Sequence, residues 1–295
     1  MSKKKENLYL SDKPPLSAGG KILIGLSYLI LCAWALAIIW PLAQMLLSSF
    51  NGLLTKNISM GGGFTFSTKH FVYLFEKTLF LKWVKNTIIV AVSTALLTLL
   101  IVSFTGYAYS RYRFSGRKAS LMGIMLVQAI PAFAGITAFY TIHAIVSSII
   151  PTFSRTTLLI LIYAGGAIAS NTFILKGYID GVSMELDDAA RIDGCSNMQI
   201  YRLIIMPIAR PMVAIIGLMS FMAPFLDYML PKILLTNPES YTLATGLFTL
   251  INDARTMNQP AFAAGGLLSA LPIVILFIAL QNQLVSGLAA GSVKG

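Results

Sequence analysis

Charged residues are scarce in this sequence, and acidic residues are the scarcest. Of the 295 residues, 11% are charged, with eleven Asp or Glu against twenty-two Lys or Arg. A soluble protein usually carries about 25% charged residues. This chain is instead 56% hydrophobic, with a mean hydropathy of +0.76. The composition excludes an ordinary soluble domain and predicts an integral membrane protein.

Cysteine and histidine are nearly absent, which argues against a disulfide and against a metal site. Cys32 lies in an apolar run and Cys195 in a polar segment, so we expect the two cysteines to be in different layers and to form no disulfide. His70 and His143 stand alone without the spacing of metal ligands, so we expect no metal site.

The common catalytic motifs are missing as well. The sequence has no Gly-x-x-x-x-Gly-Lys-Ser/Thr loop for nucleotide phosphates, no Gly-x-Ser-x-Gly elbow and no His-Glu-x-x-His pair. The net charge of +11 comes from basic residues dispersed between apolar runs, a pattern that favours membrane-surface anchoring over nucleic-acid binding. We expect a protein that is not an enzyme and that has no cofactor of its own.

Long apolar runs fill most of the chain. A helix that crosses a bilayer needs about twenty apolar residues, and the runs predict an all-α membrane protein with six transmembrane helices. The predicted spans are 22–47, 86–110, 120–147, 156–175, 204–231 and 265–285. They make up a domain at 22–288 between a basic tail at 1–21 and a short tail at 289–295. A short interfacial helix is expected near 71–80.

The distribution of basic residues predicts the orientation of the spans. Six spans place both termini on one side of the membrane. The segments on that side hold fourteen Lys and Arg, and the segments on the other side hold eight. Since cytoplasmic loops are enriched in these residues, both termini are predicted to be cytoplasmic.

One segment, 183–211, is polar in an otherwise apolar half of the chain and contains four of the eleven acidic residues. Ser183 can cap a helix, and acidic residues in the first turn complement the positive end of the helix dipole. The acidic residues of that turn are Glu185, Asp187 and Asp188. The same basic-residue count places this segment in the cytoplasm.

A second helix is predicted directly after the first. Gly194 can adopt the left-handed conformation that ends a helix, and Ser196 with Gln199 forms a capping box that starts the next one. Proline lacks a backbone donor, so Pro207 is expected to stop the second helix. The pattern reads as helix, tight turn, helix.

This pattern resembles the loop named after its Glu-Ala-Ala motif in permease subunits of binding-protein-dependent ABC importers. The match comprises Asp188-Ala189-Ala190, three residues, Gly194, nine residues and Ile204-x-Met206-Pro207. Asp188 replaces Glu and Met206 replaces Leu, and the spacing is fully kept. The resemblance implies that the 183–207 segment couples the permease to a cytoplasmic ATPase. Its implied contact residues are Asp188, Ala189, Ala190, Asp193, Gly194 and Pro207. A capped amphipathic loop without that role is the alternative.

Other segments resemble sugar-importer permeases of the maltose/maltodextrin type. They are 107–116, 128–131, 240–246 and 287–295. The resemblance implies a type I ABC importer permease fold in a bacterial inner (plasma) membrane. The implied partners are a second permease, two copies of an ATPase that binds ATP and Mg, and an extracytoplasmic sugar-binding protein. Glu239, Ser240 and Tyr241 would meet the binding protein, and Val293, Lys294 and Gly295 would reach the ATPase; a disordered tail is the alternative.

Three polar residues within or beside spans are candidates for the translocation pore. They are Gln128, Asn171 and Asp227, each of which could equally serve as a polar contact between helices. Asp227 is the only acidic residue in a predicted span, and acids within spans can carry protons. The alternative function is therefore a proton-coupled secondary transporter that uses Asp227.

Overall fold

The computed structural model describes residues 18–58, 63–128 and 135–292. Within these ranges the chain is helical, and the β pairing is limited to an isolated bridge between Asn51 and Phe66. The predicted all-α class is confirmed. The predicted contact residues Val293, Lys294 and Gly295 and most of the basic tail lie outside the described residues.

The helices follow one another along the whole described chain. In order they are α1 (Ala18–Phe50), α2 (Lys69–Lys77), α3 (Phe80–Arg111), α4 (Arg117–Gln128), α5 (Ile136–Ile149), α6 (Arg155–Asp180), α7 (Glu185–Ile192), α8 (Asn197–Gln199), α9 (Met206–Leu226), α10 (Met229–Leu234), α11 (Leu243–Phe248) and α12 (Gln259–Ser292). A π-helical turn, Ile200–Ile205, joins α8 to α9. A helix is present in the region expected near 71–80, where α2 covers Lys69–Lys77; its interfacial position stays a prediction.

Five helices of the described chain are long and apolar enough to cross a membrane. They are Gly19–Phe50, Phe80–Arg111, Arg155–Asp180, Asn197–Leu226 and Gln259–Leu284. The predicted third span, 120–147, falls on α4 and α5, which both contact α6. Residues 129–134 between these two helices, Pro131 among them, lie outside the described residues. A single third span there stays a prediction.

Helix α3 lies at the centre of the bundle, in contact with α6 and α9. Small residues let these helices approach closely: a Cβ on Gly106 would lie 3.1 Å from Leu175 of α6, and one on Gly217 of α9 would lie 3.2 Å from Leu99. Helix α12 packs on α9, and α1 packs on α12. The apolar stretch of α1 is fully unburied, so this helix offers its surface to lipid or to another subunit.

The loops divide between the two ends of the bundle. At one end, the 50–58 loop meets the start of α12, where Lys56 O accepts a hydrogen bond from Gln259 N at 2.9 Å. A buried cluster that includes Leu74, Trp83 and Leu247 closes the same end. These loops are the ones predicted to be external. The 112–116 turn and the 183–207 segment lie at the opposite end, where α3 and α6 terminate.

Gly246 is packed against an aromatic ring, which gives a first testable prediction. A Cβ on Gly246 would lie 2.1 Å from the indole of Trp83, itself buried and hydrogen-bonded through Nε1 to Pro238 O at 3.0 Å. Overpacking of this kind typically costs about 1–3 kcal/mol. We expect Gly246→Ala to lower the free energy of unfolding in a mixed-detergent titration by that amount.

Gly177→Ala is the matched control, because a Cβ on this helical glycine meets nothing within 4 Å. Alanine is favoured over glycine in a helix by up to about 1 kcal/mol, so this variant should be neutral or slightly stabilised. Equal stability of the two variants would contradict the packing argument.

Candidate functional site

The first helix of the 183–207 segment is α7, and its cap lies one residue after the expected cap at Ser183. Ser183 Oγ accepts a hydrogen bond from Glu185 N at 3.2 Å, and Met184 occupies the cap position. The three acidic residues expected there lie in the first turn of α7. Negative charge at this position complements the helix dipole.

The turn after α7 depends on the left-handed conformation of Gly194, whose φ is +84°. Gly194 N donates to Arg191 O at 3.0 Å and Cys195 N donates to Ala190 O at 2.9 Å. These two bonds form a Schellman motif, which satisfies carbonyl groups left open at the helix end. The predicted role of Gly194 in ending the helix is confirmed.

The second helix begins with the predicted capping box. Ser196 Oγ accepts from Gln199 N at 3.4 Å, and Gln199 Oε1 accepts from Ser196 N at 2.7 Å. Each side chain thus satisfies a backbone donor that has no partner within the helix. The capping box fixes the direction in which the chain leaves the turn.

Pro207 does not stop this helix, so that expectation is wrong. The chain continues from α8 through the π-helical turn into α9 and ends at Leu226. Within the turn, Met206 N donates to Tyr201 O, five residues back. In a regular α-helix, proline clashes with the backbone carbonyl four residues before it and has no backbone N–H to donate. For Pro207 that carbonyl lies within the π turn, and the wider backbone of this turn relieves the clash. Pro207 then occupies the first turn of α9.

A buried ion pair attaches α7 to the central helix. Arg111 Nε at the end of α3 lies 2.7 Å from Asp187 Oδ2, and the two side chains are only 2% and 1% exposed. The guanidinium also donates to Ile179 O at 3.2 Å and to Val182 O at 3.1 Å. Arg111 therefore joins α3, the carboxyl end of α6 and the first turn of α7. A cation at the end of a helix also complements the helix dipole.

Apolar packing around this ion pair fixes the second helix as well. Ala190, Ile200 and Ile205 are buried in one cluster with Tyr107 of α3 and Ile179 of α6. Of the two alanines in the motif, Ala190 faces this cluster and Ala189 is exposed. Tyr201 also donates from its hydroxyl to Ser103 Oγ on α3 at 2.9 Å. The 183–207 segment is thus packed on the bundle along its inner side.

The outer side of α7 is exposed and mixed in character. Ile192 is 87% exposed and Leu186 is 44% exposed. Between them lie Ala189 and Asp188, whose carboxylate pairs with Arg191 at 2.9 Å in the open. Asp193 is exposed beside them. Exposed apolar side chains rimmed by charges are typical of a protein docking surface.

The three pore candidates occupy separate places. Gln128 Nε2 donates to Gly166 O at 3.3 Å, and Asn171 is half-buried on α6. Asp227 accepts a hydrogen bond from the Tyr163 hydroxyl at 2.9 Å and bonds from the backbone N–H groups of the next turn. Within the described residues no hydrogen bond joins any two of the three candidates.

The loop predicted to meet a binding protein is held on the start of α3. Glu239 pairs with Lys82 at 2.7 Å, and this hydrogen bond and charge hold the pKa of Glu239 below its ordinary value. Asn86 Nδ2 donates to Glu239 O at 2.8 Å and to Tyr241 O at 3.0 Å. Ser240 ends a short 3₁₀ turn. The loop is therefore ordered against the bundle, with Glu239 exposed.

Sequence reasoning missed the Arg111–Asp187 ion pair. In the sequence, Arg111 only follows the predicted 86–110 span, and Asp187 is expected only as a helix-dipole partner. The sequence did not distinguish Asp187 from its acidic neighbours Glu185 and Asp188, because only the packing of α7 shows that the face shared by Asp187 and Ala190 is buried. No group of three His, Cys, Asp or Glu side chains that could hold a metal ion occurs in the part of the chain that the structure describes.

Comparison with known proteins gives consistent matches. Residues 103–289 match the family model described as "binding-protein-dependent transport system inner membrane component". The chain is 42% identical over 269 residues to the maltodextrin transport system permease protein MdxG of Bacillus subtilis, with 91% of this chain and 95% of the relative covered. It is 40% identical over 275 residues to the galactooligosaccharides transport system permease protein GanQ of the same organism, at the same coverage.

A solved structure agrees with the fold. A chain of a bacterial ABC transporter involved in the import of the acidic polysaccharide alginate superimposes with a TM-score of 0.75 at 20% identity. The superposition covers 92% of this chain and 99% of the other.

Proposed function

Because the chain belongs to the family of binding-protein-dependent transport system inner membrane components, we propose that it is one permease subunit of an ATP-driven oligosaccharide importer and that its 183–207 segment receives the ATPase. The observation that carries the proposal is the structure of that segment. Its inner side is fixed to three helices by the Arg111–Asp187 pair and apolar packing, while its outer side, with Ile192 and Ala189, is open.

This arrangement can transmit a movement of the ATPase to the membrane. A subunit that presses on the outer side of α7 moves Asp187 and, through Arg111, the ends of α3 and α6. The Schellman turn and the capping box link α7 to the continuous helix that ends in α9. Since α3, α6 and α9 form the central contacts of the bundle, closure of two ATPases would rock these helices together and alternate the access of the pore.

The partners follow from the same proposal. A second permease would complete the pore, two ATPase copies that bind ATP and Mg would lie in the cytoplasm, and a sugar-binding protein would dock at the opposite end near Glu239. Both termini would then be cytoplasmic, with Val293, Lys294 and Gly295 next to the ATPases. ATP hydrolysis would belong to the partner subunits.

The proposed substrate is a maltodextrin, supported by the similarity to MdxG over nearly the whole chain. The similarity to the galactooligosaccharide permease is only slightly lower, so a galactooligosaccharide is the alternative substrate. Uptake of radiolabelled maltodextrins and galactooligosaccharides by cells that express the complete transport system would distinguish the two. Uptake of the galactooligosaccharide alone would overturn the maltodextrin assignment.

Two measurements test the importer itself. A tagged chain purified in mild detergent should bring down an ATPase with a phosphate-binding loop. Uptake should stop when ATP is depleted and continue when an uncoupler collapses the proton gradient. The opposite result would favour proton-coupled transport through Asp227. The three hydrogen bonds accepted by Asp227 instead support a role in helix capping and helix contact.

A substitution on the outer side of α7 gives a sharper prediction. Ile192→Lys places a charge at the centre of the proposed docking surface without disturbing the core, because Ile192 is 87% exposed. A hot-spot residue at the centre of an interface contributes about 2 kcal/mol or more, and Ile192 is the most exposed apolar side chain of this surface. We therefore expect at least a tenfold loss of co-purified ATPase, with the amount of chain in the membrane unchanged.

Leu53→Lys serves as the control, since Leu53 is an exposed apolar residue at the opposite end of the bundle. ATPase recovery with this variant should equal that of the unmodified chain. If Ile192→Lys also retained full ATPase recovery, the docking surface would lie elsewhere.

A further inference from the structure

A basic cavity lies beside the 183–207 end of the bundle. Its volume is about 690 Å³, and its lining includes four cationic side chains together with Phe114 and Gly116. The cations are Arg113, Arg117, Lys118 and Lys176. They come from the turn after α3, the first turn of α4 and the last part of α6, so three elements converge on one positively charged space.

Most of this positive charge has no counterion in the described chain. Lys176 pairs with Asp180 at 2.5 Å, and Asp180 also accepts from Ser110 Oγ at 2.7 Å. Arg113, Arg117 and Lys118 take part in no ion pair among the described residues. Like charges gathered in a cavity repel one another, and an anion bound between them offsets that repulsion. The cavity is therefore complementary to an anionic group that the chain itself does not supply.

The surroundings of the cavity match a membrane interface. Tyr112 is 38% exposed and Phe114 is 45% exposed, directly after the apolar helix α3. Exposed aromatic side chains at the end of a span are typical of the headgroup region. Helix α4 leaves the cavity with Met122, Met125 and Leu126 exposed by more than half. A polar head placed among the cations would have apolar surface next to it for its chains.

We propose that this basic cavity binds the phosphate headgroup of an anionic phospholipid such as phosphatidylglycerol, with the acyl chains along the exposed side of α4. The apolar strip favours a lipid over free inorganic phosphate, which would gain nothing from it. The proposal depends on the proposed function in one respect, the placement of this end in the cytoplasmic leaflet. There the lipid would support the turn that precedes α4 and the lower end of α6, next to the Arg111 contact.

The test uses the chain purified in mild detergent with the subunits that accompany it. Phosphatidylglycerol and phosphatidylcholine are titrated separately, and retained lipid is counted by native mass spectrometry. A basic residue at an anionic surface contributes about 1 kcal/mol. We expect R113Q/K118Q to bind phosphatidylglycerol about thirty-fold more weakly than the unmodified chain. Each single variant should lose about fivefold, which provides the same test if the double variant fails to fold.

The matched control is K56Q/R255Q, which removes two exposed cations from the loops at the opposite end. Its affinity for phosphatidylglycerol should stay within twofold of the unmodified chain. Equal loss in both double variants would show nonspecific charge attraction and overturn the proposal, as would no loss in R113Q/K118Q. Displacement of the lipid by millimolar inorganic phosphate would also overturn it in favour of a free phosphate site.

A labelling experiment separates this proposal from the function proposed above. In a background without Cys32 and Cys195, a membrane-impermeant maleimide should reach Ser115→Cys only after the cells are permeabilised. Labelling from outside would overturn the cytoplasmic orientation and the importer scheme. Lipid retention needs neither ATP nor sugar and would still report on the cavity.

Discussion

Asp187→Leu is expected to lower the free energy of unfolding by about 3–5 kcal/mol, because it leaves the buried Arg111 guanidinium without its carboxylate. Both side chains are almost fully buried at a separation of 2.7 Å. The loss should appear as a lower midpoint in a mixed-detergent titration and as less folded chain in the membrane. Uptake should fall with it, since α7 would lose its attachment to α3.

Two further variants distinguish the loss of the buried ion pair from the general effect of removing a carboxylate from α7. Asp188→Leu removes the neighbouring carboxylate, whose exposed pair with Arg191 should contribute about 1 kcal/mol or less to stability. The double variant Arg111→Met/Asp187→Leu replaces both buried charges with apolar side chains and should recover most of the stability. If Asp187→Leu and Asp188→Leu were equally stable, the buried pair would have no special role.

Gly194→Val is expected to abolish ATP-dependent uptake while the chain remains in the membrane. The φ of +84° at Gly194 costs an ordinary L-residue about 1–2 kcal/mol and a β-branched residue more. A Cβ at this position meets no atom within 4 Å, so the effect comes from backbone strain and not from a clash. The chain can relieve that strain by giving up the Schellman turn, which would misplace α7 relative to α9.

Gly194→Asn is the control for this prediction, because asparagine tolerates the left-handed region better than other residues with a side chain. It should keep most of the uptake, and Gly194→Ala should fall between the two. For all three variants we would measure uptake, the amount of chain in the membrane and the amount of ATPase that co-purifies with it. Normal uptake by Gly194→Val would refute coupling through this turn.

Local features of the 183–207 segment were predictable because they depend on residues three or four positions apart. The capping box of Ser196 and Gln199 and the left-handed Gly194 are both confirmed. The stop at Pro207 was wrong because a proline is an obstacle only to regular α-helical hydrogen bonds, and the π turn before it accommodates the ring.

The family was also available from sequence, since the spacing from Asp188 to Pro207 is a linear pattern. The family match over 103–289 confirms that resemblance. The linear pattern does not show which residues of the segment are buried and which are exposed. Ala189 and Ala190 are adjacent and chemically identical, but one is exposed and the other is buried in the same cluster as Tyr107. Only the packing of α7 on α3 distinguishes them.

The sequence alone determined the membrane class, the helix–turn–helix of the 183–207 segment and the transport family, because composition, hydropathy and short-range hydrogen bonds are properties of neighbouring residues. The tertiary structure decided that Arg111 meets Asp187 and that four cations from three elements share one cavity. Both depend on how α3, α4, α6 and α7 pack. That packing brings together residues far apart in the chain, and no local pattern records which of them will meet.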